Sequence, residues 1–244
     1  MSTQLKSFIV NVLAMPHYGN DSAGSGIKHS SHEDALAAEL VKVGYTEVIQ
    51  IGSRINRNGK KVKSFVYPKL KRNTLKAAIQ SQNRQAEIAK LVPGMQPGQF
   101  IRQPCGTQSF PDFLICDTSG TFVLVEAKSG NGVVPAWNDS LVKHDAIYIF
   151  SSGRYNQTTV FLGQDVLDSA REQYLIAQYN QIRDIIAQTQ TALLTMPDPF
   201  NRGFSLAYAR PKFEQGGGNK KVDYFQHTSR QTCENNVLTF ALAQ

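Results

Sequence analysis

The chain is poor in cysteine and has no long hydrophobic run. Its 244 residues contain three cysteines and one tryptophan. The odd number and wide spacing of Cys105, Cys116 and Cys233 exclude a disulfide scaffold and a paired-cysteine zinc site. No apolar run approaches the roughly 18 residues that a membrane span needs. We therefore predict a cytoplasmic protein that does not associate with membranes.

Acidic residues are absent from residues 48–86. Over the whole chain 26 Lys and Arg stand against 19 Asp and Glu, a net charge of +7. Residues 1–100 hold 14 basic and 6 acidic side chains, whereas residues 101–244 hold 12 and 13. Such a basic field is suited to a polyanion such as nucleic acid, although a basic face that only aids solubility has the same composition.

Four short segments in the middle of the chain are almost continuously apolar. This pattern predicts strands that are covered on both faces of a sheet. The segments are 112–116, 121–128, 146–150 and 158–162. Helical patterns follow Ser31 and cover about 73–91 and 165–194, and further strands are predicted at 204–209, 222–226 and 237–242. We predict one α/β (α+β) domain over residues 1–244, a central mixed sheet flanked by helices.

The first two of these segments form a hairpin in which two carboxylates are expected to meet. If residues 118–120 are a three-residue loop with Gly120 in the left-handed position, opposed residues sum to 238. Asp112 then lies directly opposite Glu126, with Cβ atoms about 4.5–5.5 Å apart. Lys128 shares their face because side chains alternate along a strand. A loop one residue shorter or longer would send the two carboxylates to opposite faces.

Two carboxylates and a lysine in this arrangement suit phosphodiester hydrolysis. Mg²⁺ binds oxygen ligands and commonly takes one or two carboxylates together with water and substrate phosphate. It would polarise the scissile phosphate, while Lys128 would orient a water and stabilise the charge that develops. Charged residues at the end of an edge strand are the alternative explanation.

The sequence Pro111-Asp112, followed fourteen residues later by Glu126-Ala127-Lys128, resembles the PD-(D/E)xK nuclease superfamily. A small chain built around one such motif is similar to the type II restriction endonucleases. The resemblance implies a restriction-endonuclease-like fold, Asp112 and Glu126 as catalytic metal ligands, the Ala127 carbonyl as a third ligand, and Lys128 as the catalytic lysine. It also implies an auxiliary acid on a preceding helix, for which Glu33 is the best match and Glu39 the next; a charge that stabilises the helix N-terminus is the favoured explanation of Glu33.

Several polar and basic side chains are candidates for contacting DNA. The basic lobe at about residues 52–92 would grip phosphates, and loops near the hairpin would read bases. The candidates are Arg54, Arg57, Lys60, Lys61, Arg102, Gln108, Asn138, Asp139, Arg154 and Asn156. Each is also an ordinary residue of a polar loop.

These observations favour a Mg²⁺-dependent type II restriction endonuclease that cuts double-stranded DNA at a short, palindromic sequence. A homodimer would match such a site by symmetry, and a cognate DNA methyltransferase would be the functional partner in a restriction–modification system. Two alternatives remain at this stage: a structure-specific repair or junction-resolving nuclease, and a non-catalytic DNA-binding protein.

Overall fold

The computed structural model describes residues 3–18, 31–48, 50–51, 67–68, 70–106, 109–137, 141–199, 215 and 222–243. Its helices are α1 (Thr3–Leu13), α2 (Ser31–Lys42), α3 (Arg72–Gln80), α4 (Arg84–Leu91), α5 (Gly163–Val166), α6 (Ser169–Thr195) and α7 (Arg230–Ala243). Its strands are β1 (Thr46–Glu47), β2 (Gln50–Ile51), β3 (Tyr67–Pro68), β4 (Gln99–Arg102), β5 (Phe113–Cys116), β6 (Phe122–Gly130), β7 (Ala146–Ser152) and β8 (Gln157–Leu162).

Six of the strands form one mixed sheet in the order β1-β4-β5-β6-β7-β8. The pairs β1–β4 and β6–β7 are parallel, and the other three pairs are antiparallel. The strands β2 and β3 form a separate parallel pair. The predicted mixed sheet is therefore confirmed, and the hairpin β5–β6 lies at its centre.

Both faces of the sheet are covered, as the continuous apolar runs predict. Every residue of β5 and of β7 is buried. One face packs against α1, α2 and α7, through residues such as Phe8, Leu36 and Val237. The other face packs against α3 and α4, through Leu75 and Ile88. Burial on both faces makes any charged group in the central strands costly unless it is partnered.

Two predicted elements are wrong and one lies outside the described residues. Residues 237–242 belong to the helix α7, in which Val237 and Ala241 are four apart and pack on the sheet. Residues 222–226 form turns rather than a strand. The segment 204–209 is outside the described ranges. A short apolar run such as 237–242 fits a buried strand and a buried helix segment equally well, and this is why the sequence of the tail misleads.

The two longer helical predictions are each divided in the structure. The segment 73–91 is broken between α3 and α4, where the Ser81 hydroxyl accepts a hydrogen bond from the Asn83 N–H at 3.1 Å. This local bond satisfies a backbone donor that a continuous helix would use. The segment 165–194 is broken before Asp168, which caps α6 by accepting from the Arg171 N–H. None of the residues of α6 is buried.

None of the described helices is both long and apolar enough to cross a membrane.

Candidate active site

The hairpin has the register that the sequence predicts. Phe113 pairs with Val125, and Cys116 pairs with Phe122, so opposed residues sum to 238. The Asp117 N–H donates to the Thr121 carbonyl at 2.8 Å, and Gly120 has φ +85°, the left-handed conformation that this turn requires. The next pair beyond the ladder consists of Asp112 and Glu126.

Asp112, Glu126 and Lys128 are tied together by hydrogen bonds. The Asp112 carboxylate accepts from the Ala127 N–H at 2.8 Å, so the start of β5 is fastened to β6 through the proposed ligand itself. The Lys128 ammonium donates to Glu126 Oε1 at 2.7 Å. The three predicted catalytic side chains therefore lie together, on two neighbouring strands. Whether the Ala127 carbonyl is a ligand stays a prediction.

Burial and neighbouring carboxylates disfavour the ionised form of Asp112. Burial raises the pKa of Asp112 to about 8, and the neighbouring carboxylates of Glu126 and Glu33 push it in the same direction. The Ala127 N–H and the Lys128 ammonium oppose this shift without overcoming it. Glu126 Oε2 is buried and has no hydrogen-bond partner among the described residues. A divalent ion would satisfy that oxygen and offset the repulsion between the carboxylates.

The donor set fits Mg²⁺ better than a metal that needs a full protein cage. In the part of the chain that the structure describes, no three His, Cys, Asp or Glu side chains converge as ligands. Mg²⁺ often takes only one or two carboxylates and completes its octahedron with water and phosphate. Asp112 and Glu126 would therefore suit this ion, whereas a structural zinc site needs four protein ligands.

Lys128 also contacts the only tryptophan of the chain. Its Nζ lies 6.0 Å from the centroid of the Trp137 ring. Trp137 is buried, packs edge-on against Tyr148 at 5.3 Å and donates its Nε1–H to Gln215 at 2.8 Å. Trp137 is therefore part of the core on the α3 and α4 face of the sheet. Its position beside Lys128 is the part that no sequence pattern indicates.

Glu33 lies close enough to Asp112 to raise the pKa of the Asp112 carboxyl. The Glu33 side chain is held in place by Gln103. Gln103 Nε2 donates to Glu33 Oε2 at 2.5 Å, and the Gln103 N–H donates to the Asp112 carbonyl at 2.6 Å. Glu39, the second choice for an auxiliary acid, instead accepts hydrogen bonds from Asn11 and Lys42. Of the two helical acids, the structure brings Glu33 to the site and leaves Glu39 away from it.

Three of the predicted DNA contacts can be placed. The Arg102 guanidinium is engaged by Glu47, at 3.0 and 3.1 Å, and by Asp34. These ion pairs link α2 to the sheet, and the contact of Arg102 with DNA stays a prediction. Arg154 and Asn156 are exposed in the turn after β7, where the Gly153 N–H donates to the Gly130 carbonyl at the end of β6. The Asn156 side chain accepts from the His17 N–H at 3.0 Å.

The remaining predicted contacts lie outside the described ranges. They are Arg54, Arg57, Lys60, Lys61, Gln108, Asn138 and Asp139.

We expect the isosteric substitution Asp112→Asn to stabilise the metal-free protein. The pKa of Asp112 is about 8 in the fold and near 3.8 in the unfolded chain, so ionisation opposes folding increasingly from pH 4 to pH 8. Asn keeps the acceptor for the Ala127 N–H and cannot ionise. In EDTA at pH 8 the variant should melt about 5 °C higher than the wild type, and the gain should vanish near pH 4.

The matched control is Asp145→Asn, which changes an exposed carboxylate paired with Arg84. An exposed pair contributes little, so this variant should show no gain that grows with pH. If Asp112→Asn melts at or below the wild-type temperature across pH 5–8, the pKa of Asp112 is not raised in the folded protein.

The geometry thus defines the class of site: a paired-carboxylate and lysine cluster at the centre of a mixed sheet. None of the protein-family models, curated proteins or solved structures searched matches the chain.

Proposed function

We propose that this protein is a Mg²⁺-dependent DNA endonuclease with a restriction-endonuclease-like fold, and specifically a type II restriction enzyme. The observation that carries the proposal is that Asp112 and Glu126 lie together, one residue beyond the Phe113–Val125 pair of the hairpin, with Lys128 bonded to Glu126. Structural charge at a strand end does not account for an orphaned buried carboxylate oxygen beside a second, repelling carboxylate. A cation site does account for it.

The side chains divide the chemistry among them. Asp112 and Glu126 would hold Mg²⁺, which when bound polarises the scissile phosphate and makes water a better nucleophile. Lys128 orients the water and stabilises the negative charge that grows on the phosphate. Its contact with Glu126 would hold the ammonium beside the scissile phosphate, and the buried apolar residues around Trp137 would limit bulk water on that side. Because water screens charges weakly in a partly buried site, the attraction of the Lys128 ammonium for the phosphate would be stronger there than in water.

The charge distribution supports DNA as the substrate. The acid-free stretch 48–86 would contact phosphates, with a positional role that makes affinity fall as salt rises. Arg154 and Asn156, in the turn beside the end of β6, would contact bases next to the cleaved bond. A homodimer would present two such sites to a short palindrome, and a cognate methyltransferase would protect host DNA.

The test is incubation of the purified protein with plasmid and phage DNA, in Mg²⁺ and in EDTA. We expect discrete fragments whose ends share one sequence, formed only with Mg²⁺. Fragment formation should slow steeply between 50 and 200 mM salt, because several phosphate contacts are lost together.

The alternatives give different products. Cleavage confined to branched or junction DNA would identify a structure-specific nuclease. Binding of DNA without cleavage under any divalent ion would identify a non-catalytic DNA-binding protein and overturn the proposal.

A further inference from the structure

Gln103 occupies a backbone conformation that glutamine rarely adopts. Its φ is +48°, and the only other described residue besides glycine with a positive φ is Asn156, at +49°. Asparagine tolerates the left-handed region through its short side chain, whereas glutamine has no such advantage. A strained residue persists only where its surroundings hold it, and such residues gather at functional sites.

The position of Gln103 in the sheet determines where its side chain would point if the backbone were extended. Arg102 pairs with Phe113, so Gln103 continues the same ladder opposite Asp112, and its N–H donates to the Asp112 carbonyl at 2.6 Å. Opposed residues of an extended ladder share a face, and Ile101, two residues earlier, packs on the face of α3 and α4. An extended Gln103 would therefore point away from α2.

The left-handed turn breaks this alternation and brings the amide to α2. Gln103 Nε2 reaches Glu33 Oε2 at 2.5 Å, and the neighbouring Arg102 pairs with the neighbouring acid, Asp34. Two consecutive residues at the end of β4 thus hold two consecutive acids in the first turn of α2. Glu33 is thereby kept where it acts electrostatically on Asp112.

We infer that Gln103 is a positioning residue: it holds the Glu33 carboxylate near Asp112, so that the negative charge of Glu33 adds to the attraction of Asp112 and Glu126 for a divalent cation. This inference rests on the proposed metal site. Gln103 itself does not touch the cation or the DNA. It acts through Glu33 in the way that groups behind a ligand orient it, and loss of such groups commonly weakens metal affinity about 10- to 100-fold.

The variants Gln103→Ala and Gln103→Gly separate positioning from stability. Both remove the amide, but glycine adopts a φ of +48° without strain and alanine does not. We expect both to weaken cation affinity about tenfold, while the Gly variant melts at or above the melting temperature of the Ala variant. A residue that served stability alone would change affinity only in step with melting temperature.

The binding measurement uses the metal alone. Tb³⁺ is titrated into the full chain and its luminescence is excited through Trp137, the only tryptophan, which lies beside Lys128. Competition with Mg²⁺ gives the Mg²⁺ affinity. Glu33→Gln should weaken binding as much as Gln103→Gly, and combining the two should add little because they act through one contact.

The matched control is Gln85→Ala. The Gln85 side chain also makes two hydrogen bonds, to the N–H and carbonyl of Phe122, but they serve only to fasten α4 to the sheet. This variant should lower the melting temperature and leave Tb³⁺ and Mg²⁺ affinity unchanged.

The outcomes distinguish this inference from the function on which it rests. If the wild type binds Mg²⁺ and Asp112→Ala does not, yet both Gln103 variants bind as tightly as the wild type, the role of Gln103 is overturned and the metal site stands. If the wild type binds neither Tb³⁺ nor Mg²⁺ at Asp112 and Glu126, both the metal site and the role of Gln103 are overturned.

Discussion

Lys128→Ala and Lys128→Gln should each reduce the rate of Mg²⁺-dependent DNA cleavage about 10²–10³-fold, the usual cost of removing one group that stabilises transition-state charge. The ammonium lies 2.7 Å from Glu126, one of the two proposed metal ligands. The Gln variant retains a donor for Glu126, so it isolates the loss of charge from the loss of a hydrogen bond. The measurement is single-turnover cleavage at saturating protein.

Folding and binding must be shown to survive in these variants. Removal of Lys128 leaves the Glu126 carboxylate, whose side chain is 11% exposed, without its ion-pair partner, so the Ala variant should melt lower than the Gln variant. Lys42→Ala is the matched control, because Lys42 is an exposed lysine paired with Glu39 on α2. It should cleave at the wild-type rate. Cleavage within tenfold of wild type in both Lys128 variants would remove that lysine from the mechanism.

Gly163→Ala should be among the most destabilising single methyl additions in the described chain. A Cβ at Gly163 would lie 1.9 Å from the carbonyl oxygen of Lys143 and 2.5 Å from its carbonyl carbon. Both are backbone atoms, so either the end of β8 or the segment before β7 must shift. We expect a loss of about 3 kcal/mol in the free energy of unfolding, or a melting temperature roughly 10 °C lower.

Gly130→Ala provides the comparison for that experiment. The nearest atom to a Cβ there is the Gly132 nitrogen, at 4.0 Å, so the added methyl group makes only an ordinary van der Waals contact. Its effect on chemical denaturation should be under about 1 kcal/mol. Equal stability of the two variants would mean that the close approach of Lys143 to Gly163 is not kept in solution.

The hairpin was predictable because it is local. A three-residue turn with Gly120 in the left-handed conformation fixes the pairing of the strands on either side of it, and the predicted sum of 238 matches the observed pairs. The placement of Asp112 opposite Glu126, and of Lys128 on the same face, follows from pairing and alternation alone.

The surroundings of the hairpin were not predictable in the same way. Arg102 reads as a DNA contact, yet Asp34 and Glu47, far from it in sequence, occupy its guanidinium. Gln103 carries no motif; its role depends on a positive φ and on the approach of α2. The tail reads as a strand at 237–242, because apolar residues alone do not indicate whether a sheet or a helix face receives them.

The sequence by itself determined the cluster of Asp112, Glu126 and Lys128, because turn chemistry and strand alternation act over a few residues. It also determined that the central strands are buried on both faces. Only the tertiary structure decided that Glu33 rather than Glu39 lies near this cluster, that Arg102 pairs with Asp34 and Glu47, and that Trp137 lies beside Lys128. Those three facts depend on how helices and loops pack on the sheet, and packing is decided by contacts between residues that are distant along the chain.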